Sequence, residues 1–188
     1  MENHQTIFIA LLRGINVGGK NKIKPADLKQ MFLDMGFGKV QTYIQSGNIL
    51  FESDEPEEVL CKRIEQQIKL IFGFPVVVIL RTVKELEEII QACPFSEEEI
   101  AAAESSSGVE SLYIAMSNKE PAPKDIERFM ACNNHRDKCY ISRRNVYLLF
   151  SKSIRKSKLA NNLLKLNVLF TVRNRKTMNK LFDLAKLS

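Results

Sequence analysis

The chain has 188 residues, is 45% hydrophobic and 27% charged, lacks Trp and carries a formal charge of +6. Such a length suits one large or two small domains with a sizeable core, and no apolar run approaches the ~20 residues that a membrane span needs. The opening MENHQTIFIALLRG has neither the basic leader nor the long apolar run of a secretory signal, and Cys61, Cys93, Cys132 and Cys139 form no CxxC pair, so the chain reads as cytoplasmic, with no membrane partner and no disulfide framework.

In chain order, residues 6–12 (TIFIALL) read as a strand by length and β-branched content. Residues 25–35 read as a helix: Pro25 suits its first turn, Leu28, Met31, Phe32 and Met35 share a face, and Gly36 fits its stop. Residues 39–45 alternate as a strand, and Ser46-Gly47 turns the chain into a second strand at 48–53. A periodic helix at 55–72 carries Val59, Leu60, Ile64, Ile68 and Ile71, and a buried strand follows at 76–80. This is the order of the split βαβ unit, with one more helix at 83–93. Residues 95–108, acidic and serine-rich, read as a boundary or excursion with room for a short helix. The order then repeats: strand 112–116, helix 123–130, a hairpin of 138–142 and 146–150, a basic helix at 153–166, strand 168–172 and a closing helix 175–187.

The expectation is an α+β chain of two ferredoxin-like βαββαβ modules in tandem, each followed by an extra helix. Residues 1–94 form the first domain, 95–108 a linker and 109–188 the second. The strands IFIALL, VVVIL, LYIAM and VYLLF are apolar on both faces, the pattern of sheets covered on both sides. Binding is therefore expected at loops and charged surfaces.

One loop stands out. The first strand empties into Arg13, then Gly14, Gly18 and Gly19, then Lys20, Asn21, Lys22 and Lys24, before Pro25 opens a helix. Glycines let backbone N–H groups converge, and cations and a helix N-terminus attract anions. The spacing is neither a Walker loop, since Lys20 precedes Asn21, nor a dinucleotide fingerprint. A tight strand-to-helix connection accounts for the same glycines equally well. Because the first and third strands of a split βαβ unit are antiparallel neighbours, this loop and the Ser46-Gly47-Asn48 turn are expected at one sheet end. Mutual capping of the two loops is the alternative to a ligand site there.

Charge is unevenly spread. Residues 82–130 hold four basic and eleven acidic side chains, whereas residues 151–188 hold ten basic and one acidic. The basic quarter suits phosphates, a solvated helix face, or a partner for the acidic segment. Cys132, His135 and Cys139 fall within eight residues, but structural zinc wants four ligands at tighter spacing; no metal and no cofactor is predicted.

LLRGINVGGKNKI, TYIQSGN and TVRNRKT together resemble the bacterial domain-of-unknown-function family 1697, over nearly the whole chain and most specifically in residues 11–53. The resemblance implies a cytoplasmic, ferredoxin-like α+β protein and no established activity. Its motif residues fall on Arg13, Gly14, Asn16, Gly18, Gly19, Lys20, Asn21, Tyr43, Gln45, Ser46, Gly47, Asn48, Arg173, Asn174 and Thr177. The chain departs from similar sequences at Pro25, where Met is common, and at Arg175, where Trp is common.

The expected function is binding of a phosphate-bearing or other anionic ligand, a small molecule or a nucleic acid. The candidate contacts are Arg13, Asn16, Gly18, Gly19, Lys20, Asn21, Lys22, Gln45, Ser46, Asn48, Arg173 and Asn174. The alternatives are an enzyme on a small polar or phosphorylated substrate, and an interaction protein with no small-molecule site. No catalytic constellation is legible: the two histidines, His4 and His135, lie far in sequence from the glycine loop, and Ser46 lacks the flanking glycines of a nucleophile elbow.

Overall fold

The structure, a computed structural model, describes residues 5–132 and 136–187; His4 and His135 lie outside the described residues. The chain divides into two compact units, one running to Glu88 and taking in the segment from Asn179, the other Ile89–Met178.

The first unit holds β1 (Thr6–Leu12), α1 (Pro25–Asp34), β2 (Gly38–Tyr43), β3 (Asn48–Ser53), α2 (Glu57–Phe72) and β4 (Val78–Thr82), followed by the start of α3 (Val83–Gln91). Its sheet runs β2-β3-β1-β4 with antiparallel neighbours throughout, the ferredoxin-like order. The second unit holds α4 (Glu97–Ser107), β5 (Leu112–Met116), α5 (Pro123–Ala131), β6 (Lys138–Ser142), β7 (Asn145–Leu149), α6 (Lys158–Asn162) and β8 (Thr171–Asn174), which feeds α7 (Arg175–Leu187). Its sheet repeats the order as β6-β7-β5-β8. The fold is thus α+β, with two four-stranded antiparallel sheets built from a repeated β-α-β-β-α-β order.

In the first unit, one strand face (Phe8, Ala10, Leu12, Ile49, Phe51, Leu80) meets Leu28, Met31 and Phe32 of α1 and Leu60, Ile64 and Ile68 of α2. Phe51 is the hub: the rings of Phe32, Phe37 and Phe8 lie 5.2, 4.7 and 5.8 Å from it, tilted and offset as aromatic quadrupoles prefer. The opposite face is buried too, since Ile9, Leu11, Leu50 and Ile79 are wholly inaccessible, as the two-sided apolar pattern predicts. In the second unit Ala115, Val146, Leu148 and Phe150 meet Phe129, Leu159, Leu163 and Leu166.

Three local readings are corrected by the structure, the first two for tertiary reasons. The strands expected at 76–80 and 168–172 begin later, at Val78 and Thr171, because their partners end there: Leu12 faces Val78 and Met116 faces Thr171. The basic helix expected over 153–166 is broken into a 3-10 turn (Ile154–Lys156), α6 and a second 3-10 turn (Leu163–Leu166). Ser157 breaks it: its backbone is extended, its hydroxyl caps the Leu159 N–H at 3.1 Å, and the same hydroxyl donates to Asp137 at 2.7 Å. Within residues 95–108 the chain forms an eleven-residue helix, α4 (Glu97–Ser107), opened by a reciprocal capping box between Ser96 and Glu99 and closed by left-handed Gly108.

Candidate functional site

The glycine loop, residues 13–24, is anchored from within. Ile15 and Ile23 bracket it and are 2% and 3% exposed, both part of the first unit's core. Between them the chain makes a small hairpin: Val17 bridges Lys20, the Lys20 N–H donates to the Val17 carbonyl at 3.1 Å, and Gly18 and Gly19 take φ of +59° and +75°. Two consecutive left-handed residues are the demand of a type I′ turn, which Gly-Gly meets without a Cβ penalty. The glycines therefore shape a projecting turn, and their N–H groups have no hydrogen-bond partner among the described residues.

The Ser46-Gly47-Asn48 turn meets this loop, because Leu11 faces Asn48 across β1 and β3. The Leu12 N–H donates to the Gly47 carbonyl at 2.8 Å and the Arg13 N–H to the Val77 carbonyl at 3.0 Å. Asn16 is the clasp. Its amide donates to the Gln45 carbonyl at 2.7 Å and the Ile23 carbonyl at 2.9 Å, while its side-chain oxygen accepts from the Ile23 N–H at 2.9 Å. Asn16 and Asn21 both sit in the left-handed region, with φ of 55° and 49°, a conformation asparagine tolerates well. The Asn21 amide reaches the Gly14 carbonyl at 3.3 Å. Asn48 donates to the Tyr43 carbonyl at 3.0 Å and to the Ser46 hydroxyl at 2.8 Å.

Gly47 makes the contact tight. At φ +76° a Cβ there would sit 2.7 Å from Cδ1 of Ile15 and 2.8 Å from Cβ of Leu12. Only glycine allows the turn to press on the loop this closely. Between the loops lies a shallow depression bounded by Ile15, Ile23, Thr42, Ile44 and Gln45, with an empty volume of ≈ 180 Å³ open to solvent and no enclosed room for a water molecule.

The candidate residues thus divide by what they already hold. Arg13, Asn16, Gly18, Gly19, Lys20, Asn21, Lys22, Gln45, Ser46 and Asn48 come together at one end of the first sheet. Within this group the three asparagine side chains are engaged with the protein itself. The groups turned outward are the Gly18 and Gly19 N–H groups and the side chains of Lys20, Lys22 and Gln45, all on exposed residues, and Arg13 is exposed beside them. Lys24 joins them, and no Asp or Glu occurs between Glu2 and Asp27. Val17 and Ile44, 68% and 50% exposed, flank the Asn16–Gln45 clasp. Ile44 has φ +51°, a costly conformation for a β-branched residue. Sequence reasoning gave Ile15, Ile23 and Val17 no role and read Ile44 only as a strand position; the signal for the first two was an isolated apolar residue near each end of the loop.

Arg173 and Asn174 belong to the other unit. Arg173 is 8% exposed and donates to the Thr171 hydroxyl at 2.8 Å and the Val172 carbonyl at 3.0 Å. Burial lowers its pKa to about 10, which leaves it charged at neutral pH. Asn174 caps α7 by accepting from the Thr177 N–H at 2.9 Å. Arg81 and Thr82 hold the matching places in the first unit: Arg81 is fully buried opposite Ile9, as Arg173 is opposite Ile114, and Thr82 and Glu85 form a reciprocal cap.

Part of the charge asymmetry is internal to the second unit. Glu97 forms a bidentate pair with Arg175, and Glu99 lies 2.6 Å from Lys138. These hydrogen bonds hold both carboxyls below their ordinary pKa. Cys61 is packed, its thiol 3.6 Å from the Val78 carbonyl, and burial raises the Cys139 thiol pKa. Among the described residues no cluster of three His, Cys, Asp or Glu side chains suits a metal ion, and no helix is long and apolar enough to cross a membrane.

Comparison with known proteins agrees with this architecture. The chain is similar to a solved structure described as that of conserved bacterial protein SP0830 from Streptococcus pneumoniae, at 26% identity and a TM-score of 0.73, over 96% of this chain and 99% of that one. No curated protein matches. A family model described as protein of unknown function (DUF1697) matches residues 6–147, and the chain belongs to that family.

Proposed function

We propose that this protein binds a phosphate-bearing or other anionic ligand at the rim where the glycine loop meets the Ser46-Gly47-Asn48 turn. The observation that carries the reading is the division of labour there. The asparagine amides clamp the two loops together, while the Gly18 and Gly19 N–H groups and the lysines of an acid-free stretch face solvent. A fixed scaffold that leaves donors and cations outward is preorganised for an anion. Asn16, Asn21, Ser46 and Asn48 hold that scaffold; Arg13, Gly18, Gly19, Lys20, Lys22 and Gln45 meet the ligand. The commitments of Arg173 and Asn174 within their own unit give them a smaller part in this reading.

A thermal-shift screen against nucleotides, sugar phosphates and polyphosphates tests it, because a ligand that binds the native state raises its stability. A stabilising anion is expected to lose its effect in Lys20→Ala and in Arg13→Ala. A hit whose shift survives both substitutions would move the site elsewhere, and a screen without any anionic hit would end the reading.

A further inference from the structure

The rim has exposed donors and cations but no enclosed cavity. The depression between its loops encloses no water-sized space, so a small anion bound there would keep most of its hydration. Its cations are strung along the chain at Lys20, Lys22 and Lys24, all exposed, without an ion-pair partner among the described residues and without a nearby acid in sequence. Between and beside them stand open backbone donors at Gly18 and Gly19 and the exposed apolar surfaces of Val17 and Ile44. Spaced cations, backbone N–H groups and small apolar contacts on an open surface suit a ligand that carries repeated phosphates and runs past the protein.

We infer that the ligand class is the phosphodiester backbone of a nucleic acid. This rests on the anion-binding reading above and narrows it from small anions to a polyanion. Neither loop of the rim, residues 13–24 or 44–47, contains an aromatic residue, and Tyr43 beside the second is a single half-buried ring, so the rim lacks the run of exposed aromatics on which strand binders stack successive bases. Recognition is therefore of the backbone, sequence-tolerant and dominated by counterion release. An anionic membrane is the weaker match, because two aliphatic side chains and no aromatic offer little to insert.

The test is anisotropy of a labelled single-stranded RNA of about 16 nucleotides, titrated with the full chain at rising KCl. With three lysine–phosphate contacts, affinity is expected to fall ~20-fold as salt rises from about 50 to about 200 mM. In the Lys20→Ala/Lys22→Ala double variant the fall shrinks to ~3-fold, with weaker binding at low salt. An unchanged thermal midpoint confirms that the variant is folded. Unchanged salt dependence in the variant would overturn the inference by placing the RNA elsewhere. A shift with inorganic tripolyphosphate but no RNA binding would overturn it while leaving the anion-binding reading intact; silence from both would remove the two together. Binding to phosphatidylserine vesicles but not to RNA would overturn it in favour of a membrane surface.

Discussion

The two units close the same sheet end by the same hydrogen bond and then diverge. In the first, the residue leaving the first strand donates to the turn before the third, Leu12 N–H to the Gly47 carbonyl at 2.8 Å; in the second, Ser117 N–H donates to the Arg144 carbonyl at 2.9 Å. Leu12 and Ser117, Gly47 and Arg144, and Asn48 and Asn145 are structural counterparts, as the registers Leu11↔Asn48 and Met116↔Asn145 require. Beyond that bond the second unit goes to its helix through the shorter run 117–122, and its strands β6 and β7 are joined by Arg143-Arg144. The first unit hangs residues 13–24 on the same frame and clasps them with Asn16. The scaffold is therefore common to both, and what distinguishes the first unit is an added, core-anchored loop with outward donors. Function is more economically placed in the addition than in the repeat.

If the addition is a locked pair of loops, Gly47 is where it breaks most severely. Gly47→Ala forces a side chain into a left-handed conformation and into contact with Ile15 and Leu12. A loss of about 3 kcal/mol is expected, combining overpacking with the αL cost. Gly18→Ala, at φ +59° with open space around it, has only the conformational cost of about 1 kcal/mol. Urea midpoints read the difference. Equal losses at the two glycines would mean that the loops are merely adjacent, and the contrast with the second unit would shrink to loop length.

Asn16→Ala comes next, because it removes three hydrogen bonds without touching the sheet. About 2 kcal/mol of local stability is expected to go, released as opening of residues 13–24 more than as global unfolding. Amide exchange at Ile23, whose N–H is held by Asn16, should then quicken about thirtyfold, while exchange in β5 and β7 stays as it was. Equal acceleration in both units would show that the clasp supports the whole fold.

These effects mark what the sequence could and could not reveal. Strand order, module repeat and the meeting of the two turns follow from hydrophobic patterning and the topology of split βαβ units, because each rests on local periodicity plus one known pairing rule. Mutual capping of the two loops was legible as an alternative, and Asn16 carries it out; which residue would do so was not, since its partner carbonyl on Gln45 lies 29 residues away. Ser157 was hidden likewise: its role as a breaker depends on Asp137, 20 residues earlier. Ser96-Glu97-Glu98-Glu99 is different, because the capping-box spacing is there to read, but the run EEEIAAAESSS after Ser96 lacks the apolar periodicity that marks a helix.

That acidic helix gives the smallest effect and the sharpest difference in kind. The rim of the first unit is clasped by amides and carbonyls, which do not titrate. In the second unit, Glu97 and Glu99 tie α4 to Arg175 and Lys138, and both carboxyls are held below the ordinary value of 4.5. A carboxyl whose pKa is lowered by folding binds its proton less readily in the native state. Its contribution is therefore present above the unfolded value and is lost as pH falls through the native one. Since both carboxylates are solvent-exposed, the loss is modest and screened by salt. Hydrogen exchange, corrected for the intrinsic rate and compared at neutral pH and at about pH 3, should show fraying of Glu97–Ser107 with little change at residues 13–24. Arg175→Ala should remove part of the acid response of α4 by leaving Glu97 nothing to lose. Were α4 insensitive to acid, or the clasped loop the first to open, the division between an ion-paired unit and an amide-clasped one would not hold.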